Sequence, residues 1–231
     1  MNERVIVALD TRSAPNALEL VDRIGARCSF YKVGLELYTA EGPAVVQSLR
    51  DLGKNVFLDV KLHDIPNTVA GATARAGEMG VTFLTVHAMG GLDMLRAASA
   101  AAPPSLTLLG VTVLTSLDEA GLEALFGRRV EDAGGEADRL ACMVRQAGLR
   151  GAVCSAAEAA RVRRTMGPGS SIVTPGIRLA GEAVHDQRRV RTAAQAFRDG
   201  ATHVVVGRSV TAARDPAAAF ARIVTDAESA R

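Results

Sequence analysis

Four side chains suited to charge-based chemistry fall within six residues, Asp59-Val-Lys61-Leu-His63-Asp64, at the end of an apolar run. A buried strand accepts such charges only when they have partners, so the segment reads as a site. Alternate residues of a strand share a face, so Asp59 and Lys61 project together while Val60 and Leu62 point the other way. Asp64 breaks that period and stands just before Pro66, where strand gives way to loop. A lysine held between carboxylates keeps its proton, because nearby negative charge stabilises the ammonium. It suits proton donation and charge stabilisation rather than Schiff-base chemistry, which needs a neutral amine.

Further polar residues end other apolar runs. Asp10 follows Val5 to Leu9 and Lys32 interrupts Phe30 to Leu35, so Asp10, Lys32, Asp59 and Lys61 alternate in sign and lower one another's burial cost. Gly207-Arg208-Ser209 offers backbone N–H groups and a guanidinium that grips phosphate through two hydrogen bonds. Arg178 and Gln187, after the seventh run, complete an expected phosphate clamp. His63 and His87 are suitable ligand types but lack a compact metal motif, and the neighbouring lysines repel a divalent cation; no metal is expected.

The elements that position these residues alternate in type. Apolar runs span Val5 to Leu9, Phe30 to Leu35, Val56 to Leu62, Phe83 to His87, Leu106 to Leu114, Gly151 to Cys154, Ser171 to Thr174 and His203 to Val206. Between them lie stretches with helical spacing, such as Ala17-Leu18-Leu20-Val21-Ile24 and Val45-Val46-Leu49-Leu52, the latter stopped by Gly53. Eight strand–helix units imply parallel strands with right-handed crossovers, hence an α/β fold of the (β/α)8 TIM-barrel class over residues 1–231, with functional residues at the C-terminal strand ends. A doubly wound sheet signals itself by a glycine-rich first turn, and none follows Asp10. Two segments exceed simple barrel loops: Leu117 to Phe126, expected to form a small extra helix before the main one near Glu136, and Leu179 to Gln187. Both are expected as lids over the barrel mouth.

Composition narrows the function classes. With 48% hydrophobic residues the chain builds a full core, and a net charge of +2 without a basic block interleaved with aromatics excludes a nucleic-acid surface. Arg161-Val-Arg163-Arg164 and Arg188-Arg189-Val-Arg191 read as solvated helix faces. Cys28, Cys142 and Cys154 form no CxxC pair, and the N-terminus has neither a signal-peptide run nor a membrane span, so a soluble, cytoplasmic protein is expected.

Taken together, Val-Ala-Leu-Asp10, Lys32-Val-Gly34, Phe57-Leu-Asp59-Val-Lys61-Leu-His-Asp64-Ile-Pro-Asn-Thr68, Val113-Leu-Thr115-Ser116, Pro175-Gly-Ile-Arg178, Asp186-Gln187 and Val206-Gly207-Arg208-Ser209 resemble the orotidine 5'-phosphate decarboxylase family over nearly the whole chain. The resemblance implies a homodimer without metal or organic cofactor. It makes Lys61 the proton donor to C6 of the pyrimidine, with Asp59 and Lys32 in its charge network and Asp64 supplied to the neighbouring subunit's site. Asp10 and Lys32 would contact the ribose, and Thr68 would reach across the dimer. Thr115 and Ser116 would sit by the pyrimidine, Pro175 would contact the substrate, and Arg178, Gln187, Gly207 and Arg208 would hold the phosphate end. One departure is Thr192-Ala193, where the family usually has Thr-Pro.

Two other readings fit part of the pattern. A magnesium-dependent sugar-phosphate decarboxylase or aldolase-like enzyme on a related barrel shares the Asp-x-Lys-x-x-Asp spacing, but it needs a carboxylate where Lys32 stands. A non-catalytic phosphate-binding barrel needs no proton donor between carboxylates.

Overall fold

The computed structural model describes residues 1–179 and 191–230. Eight parallel strands close into a barrel in sequence order. They are β1 (Val5–Ala8), β2 (Phe30–Gly34), β3 (Asn55–Leu62), β4 (Phe83–His87), β5 (Thr107–Val111), β6 (Gly151–Val153), β7 (Ser171–Ile177) and β8 (His203–Val206). Pairing of Val5 with Val204 and Val7 with Val206 closes the ring, so the TIM-barrel expectation holds.

The described helices of the first half are α1 (Ala14–Ile24), α2 (Leu35–Glu41), α3 (Pro43–Asp51), α4 (Pro66–Glu78) and α5 (Gly91–Ala101). Those of the second half are α6 (Glu119–Phe126), α7 (Ala133–Gln146), α8 (Ala159–Met166), α9 (Ala193–Arg198), α10 (Arg208–Thr211) and α11 (Pro216–Glu228). Helix α1 shows why these segments coil where they do. Ser13 caps its first turn by accepting from the Asn16 N–H, Pro15 lies in that turn, and Ala17, Leu20, Val21 and Ile24 form one buried stripe. Among the described residues no helix is long and apolar enough to cross a membrane.

Strand alternation divides the core in two. Val5, Val7 and Leu9 face outward into the layer shared with the helices, whereas Ile6, Ala8, Phe30, Phe57, Phe83, Leu109, Val173 and Val205 fill the barrel interior. Three interior phenylalanines and His203 form an aromatic plug: the Phe83 ring lies 5.1 Å from Phe30, 6.0 Å from Phe57 and 5.0 Å from His203. Burial, aided by the charge of Arg4, lowers the His203 pKa from 6.5 to about 4.

The C-terminal strand ends differ from the sequence reading by more than one residue at β5 and β7. The apolar run of the fifth segment continues to Leu114, but β5 stops at Val111; Val113 and Leu114 become cavity wall instead. Conversely β7 runs past Thr174 to Ile177, with its register to β8 broken between those residues. Pro175 has no N–H to donate and Gly176 adopts φ 80°, so the ladder skips them and resumes at Ile177.

The segment after Thr115 forms the expected extra helix, α6. Asp118 caps it by accepting from the Gly121 N–H at 3.0 Å. It is fastened along its length: Glu119 accepts from the Ala133 N–H and Glu123 from the Val130 N–H. Beyond it, Glu136 of α7 pairs with Arg128 at 2.5 Å and Arg139 at 2.9 Å.

Candidate active site

A cavity of about 520 Å³ opens at the C-terminal ends of the strands, a volume that suits a small-molecule ligand. Its floor is the upper part of the interior layer, with Ala8, Phe57, Val153, Val173 and Val205. Asp10, Lys32, Asp59 and Lys61 make one side, from β1 to β3. Pro175, Gly176, Arg178, Gly207 and Arg208 make the side formed by β7 and β8.

On the first side the charges form a row of alternating sign. Lys32 Nζ lies 3.2 Å from Asp10 Oδ1 and 3.6 Å from Asp59 Oδ2, and Lys61 Nζ lies 2.8 Å from Asp59 Oδ1. Asp59 and Lys32 expose only 14% and 12% of their side chains, so their attraction is little screened by solvent. Gly34 makes room for this row. A Cβ there would stand 3.0 Å from Lys32 Nζ and 3.5 Å from Asp10 Oδ1.

The strand that carries Asp59 and Lys61 is not regular. Leu58 pairs with Leu84 and Leu62 with Val86, so Asp59, Val60 and Lys61 together face Thr85 alone. Lys61 takes up the surplus with φ 47°, a left-handed conformation rare outside glycine. A two-residue strand period places Asp59 and Lys61 together for the right outcome but the wrong reason. The bulge brings them together, with Lys61 turned back so that its ammonium meets the Asp59 carboxylate.

Across the cavity, Arg178 is 9% exposed, and its buried Nε finds no hydrogen-bond partner among the described residues. A buried guanidinium N–H without an acceptor is costly and is satisfied by an anionic ligand. Gly207 precedes the four-residue helix α10, whose first residue Arg208 is exposed at the mouth. Arg208 has a partner of its own, which leaves Arg178 as the clearer orphan.

The cavity thus gathers Asp10, Lys32, Asp59, Lys61, Thr115, Pro175, Arg178, Gly207 and Arg208. Asp64, Thr68 and Ser116 are exposed and outside its lining. Asp64 Oδ1 accepts from the N–H of the next residue, Ile65, at 2.6 Å. Gln187, and with it most of the second expected lid, lies outside the described residues. His63 and His87 stack with ring centroids 5.3 Å apart. Burial first, then His63 and Lys61, lowers the His87 pKa, and its Nδ1 accepts from the Met89 N–H. Among the described residues no group of three His, Cys, Asp or Glu side chains is arranged to hold a metal.

Three contributors escape a reading of the sequence. Gly34 belongs to the Lys32-Val-Gly34 motif, but what it does shows only in its closeness to the Lys32 ammonium; Thr85 looks like ordinary β-branched strand filling, and Cys154 ends an apolar run. Cys154 lines the cavity, yet burial, with the charge of Glu158, pushes its thiol pKa far up, so it is an inert wall.

Comparison with known proteins places this geometry in context. The model of the Orotidine 5'-phosphate decarboxylase / HUMPS family matches residues 3–223. The chain is 45% identical over 236 residues to an orotidine 5'-phosphate decarboxylase of Moorella thermoacetica, covering 98% of this chain and 92% of that protein. It is 49% identical over 218 residues to one of Anaeromyxobacter dehalogenans, covering 94% and 95%. Among solved structures, orotidine 5'-phosphate decarboxylase from Lactobacillus acidophilus superposes with a TM-score of 0.83 at 34% identity, covering 97% of this chain and 99% of the other.

Proposed function

The chain belongs to the orotidine 5'-phosphate decarboxylase / HUMPS family, and from that premise we propose that it decarboxylates orotidine 5'-phosphate to uridine 5'-phosphate, closing pyrimidine nucleotide synthesis, without metal or organic cofactor. One observation carries the mechanism: the Lys61 ammonium stands 2.8 Å from Asp59 in a cavity that also presents the Arg178 Nε, without a hydrogen-bond partner among the described residues.

Breaking the bond from C6 to the carboxylate leaves its electron pair on a ring carbon with no adjacent carbonyl to spread it. The charge must be met electrostatically. The Lys61 ammonium gains most as that charge localises, so its interaction favours the transition state over the bound substrate. It then delivers a proton to C6. Asp59 holds Lys61, and Lys32 holds Asp59, so neither cation nor carboxylate is buried alone. Asp10 and Lys32 hold the ribose, Thr115 and Ser116 the pyrimidine edge, and Arg178, Gln187, Gly207 and Arg208 the phosphate, with Pro175 shaping that end. Binding energy from the phosphate, remote from the reacting carbon, goes into orienting the substrate and excluding water.

The active form we propose is a homodimer in which Asp64 and Thr68 complete the neighbour's site. Their exposure supports this, as does Ile65 between them, 66% exposed in the segment joining β3 to α4. The magnesium-dependent reading is disfavoured by Lys32. Its ammonium stands within 4 Å of both carboxylates a cation would use.

Loss of orotidine 5'-phosphate absorbance, followed with excess EDTA present, tests the assignment. The wild-type chain turns the substrate over, and Lys61→Ala, still folded, loses at least about 10³-fold in kcat. Turnover abolished by the chelator, or retained by Lys61→Ala, refutes it.

A further inference from the structure

Thr85 lies in the middle of β4, fully buried, and does not line the cavity. Its hydroxyl nonetheless touches both functional residues of β3. It accepts from the Lys61 backbone N–H at 2.9 Å and donates to Asp59 Oδ1 at 3.0 Å. A hydroxyl has one proton, so giving it to the carboxylate leaves a lone pair for the N–H, and the direction of both bonds is set.

Thr85 stands at the one β4 position opposite the whole bulge. There the backbone ladder between β3 and β4 is interrupted, and the Lys61 N–H turns to a side chain rather than a strand carbonyl. A non-glycine residue keeps a left-handed backbone only when its surroundings over-determine it. The surroundings here form a closed ring: Lys61 N–H to Thr85 hydroxyl, hydroxyl to Asp59 carboxylate, carboxylate to the Lys61 ammonium at 2.8 Å.

Resting on the proposed decarboxylation, we infer that Thr85 is a positioning residue for it: its hydroxyl replaces the missing ladder contact and thereby sets where the Lys61 ammonium stands. It touches no reacting atom. Shape alone does not serve, because valine fills the same volume and leaves the part-buried Lys61 N–H without its acceptor.

The variants Thr85→Val and Thr85→Ser separate hydroxyl from volume. In Thr85→Val, kcat for orotidine 5'-phosphate falls about 10- to 100-fold while KM stays within about threefold, since displacement of a reacting group acts on the chemical step. Thr85→Ser returns kcat to within about threefold of wild type. Amide exchange followed by NMR provides a readout independent of turnover: in Thr85→Val the Lys61 N–H exchanges about tenfold faster or more, and the Leu58 amide keeps its rate. Unchanged Lys61 exchange, unchanged kcat in Thr85→Val, or a serine variant as slow as the valine one overturns the inference. If the valine variant does not fold, Thr85→Ala is read by the same two measurements. A wild-type protein without turnover overturns the proposed function instead, and the exchange result still judges the clamp.

Discussion

Replacing His203 by phenylalanine should remove one component of the acid sensitivity of this barrel. The imidazole stands in the interior against Phe30 and Phe83, and burial drops its pKa from 6.5 to about 4. A lowered histidine pKa means that the unfolded chain takes up the proton first as pH falls. The associated stability is fully present above pH 6.5, declines through the window from 6.5 to 4, and is gone below it. The whole shift corresponds to about 3 kcal/mol, of which about 2 kcal/mol is lost by roughly pH 5. Phenylalanine keeps the ring contacts. It breaks the 2.9 Å contact from Thr202 Oγ1 to His203 Nδ1, but that hydroxyl remains bonded to the N–H and C=O of Ile172. Urea unfolding of both proteins at about pH 5 and 7.5 measures the effect, since carboxylates titrate alike in the two and cancel. The wild type should lose about 2 kcal/mol more than His203→Phe on acidification. Equal losses would refute the idea that the plug excludes the charged imidazole.

Gly34→Ala should fold with nearly wild-type stability, because the new methyl presses on the tip of Lys32 and meets Asp10 at ordinary contact distance, yet it should lower kcat/KM about tenfold or more by pushing the ammonium off Asp10 and Asp59; steady-state kinetics beside thermal unfolding check both halves. Arg178→Met should weaken binding of uridine 5'-phosphate about 10²-fold, measured by calorimetry, while leaving the stability of the ligand-free protein unchanged or raised, since a buried N–H with no partner among the described residues disappears. Mixing inactive Lys61→Ala with inactive Asp64→Asn, then exchanging subunits, should restore activity at roughly a quarter of the sites, because one site in each mixed dimer draws both intact residues. No recovery after proven exchange would remove Asp64 from the neighbour's site.

The barrel was legible because each strand is a short apolar run and each helix repeats its apolar residues at helical spacing, as in Ala17, Leu20, Val21 and Ile24. The charged row was legible too, since Asp10, Lys32, Asp59 and Lys61 lie in or just after the C-terminal halves of strands that a parallel barrel must bring to one rim. What stayed hidden depends on register. A bulge leaves no local signature in Asp59-Val-Lys61, whose alternation is that of an ordinary strand. The surplus residues appear only when Leu58 and Leu62 are paired with Leu84 and Val86. Thr85 is the same case from the other strand: a threonine in Phe83-Leu-Thr-Val-His87 has the propensity of any β-branched residue, and only the bulge opposite gives its hydroxyl two partners. At β5 the composition of Leu106 to Leu114 is uniform, so nothing local shows where pairing stops and cavity wall begins.

The two breaks in strand register, on β3 and β7, stand four strands apart in a ring of eight, and so face each other across the barrel. One presents the ammonium and the other leads to the guanidinium. Their separation is therefore a diameter, set by strand number and stagger rather than by any loop. On the assignment proposed above, loops can lengthen, shorten or change sequence without resetting the span between the Lys61 ammonium and the end of β7 that leads to Arg178. A ligand of another length would demand a different barrel, or a break moved to a different strand.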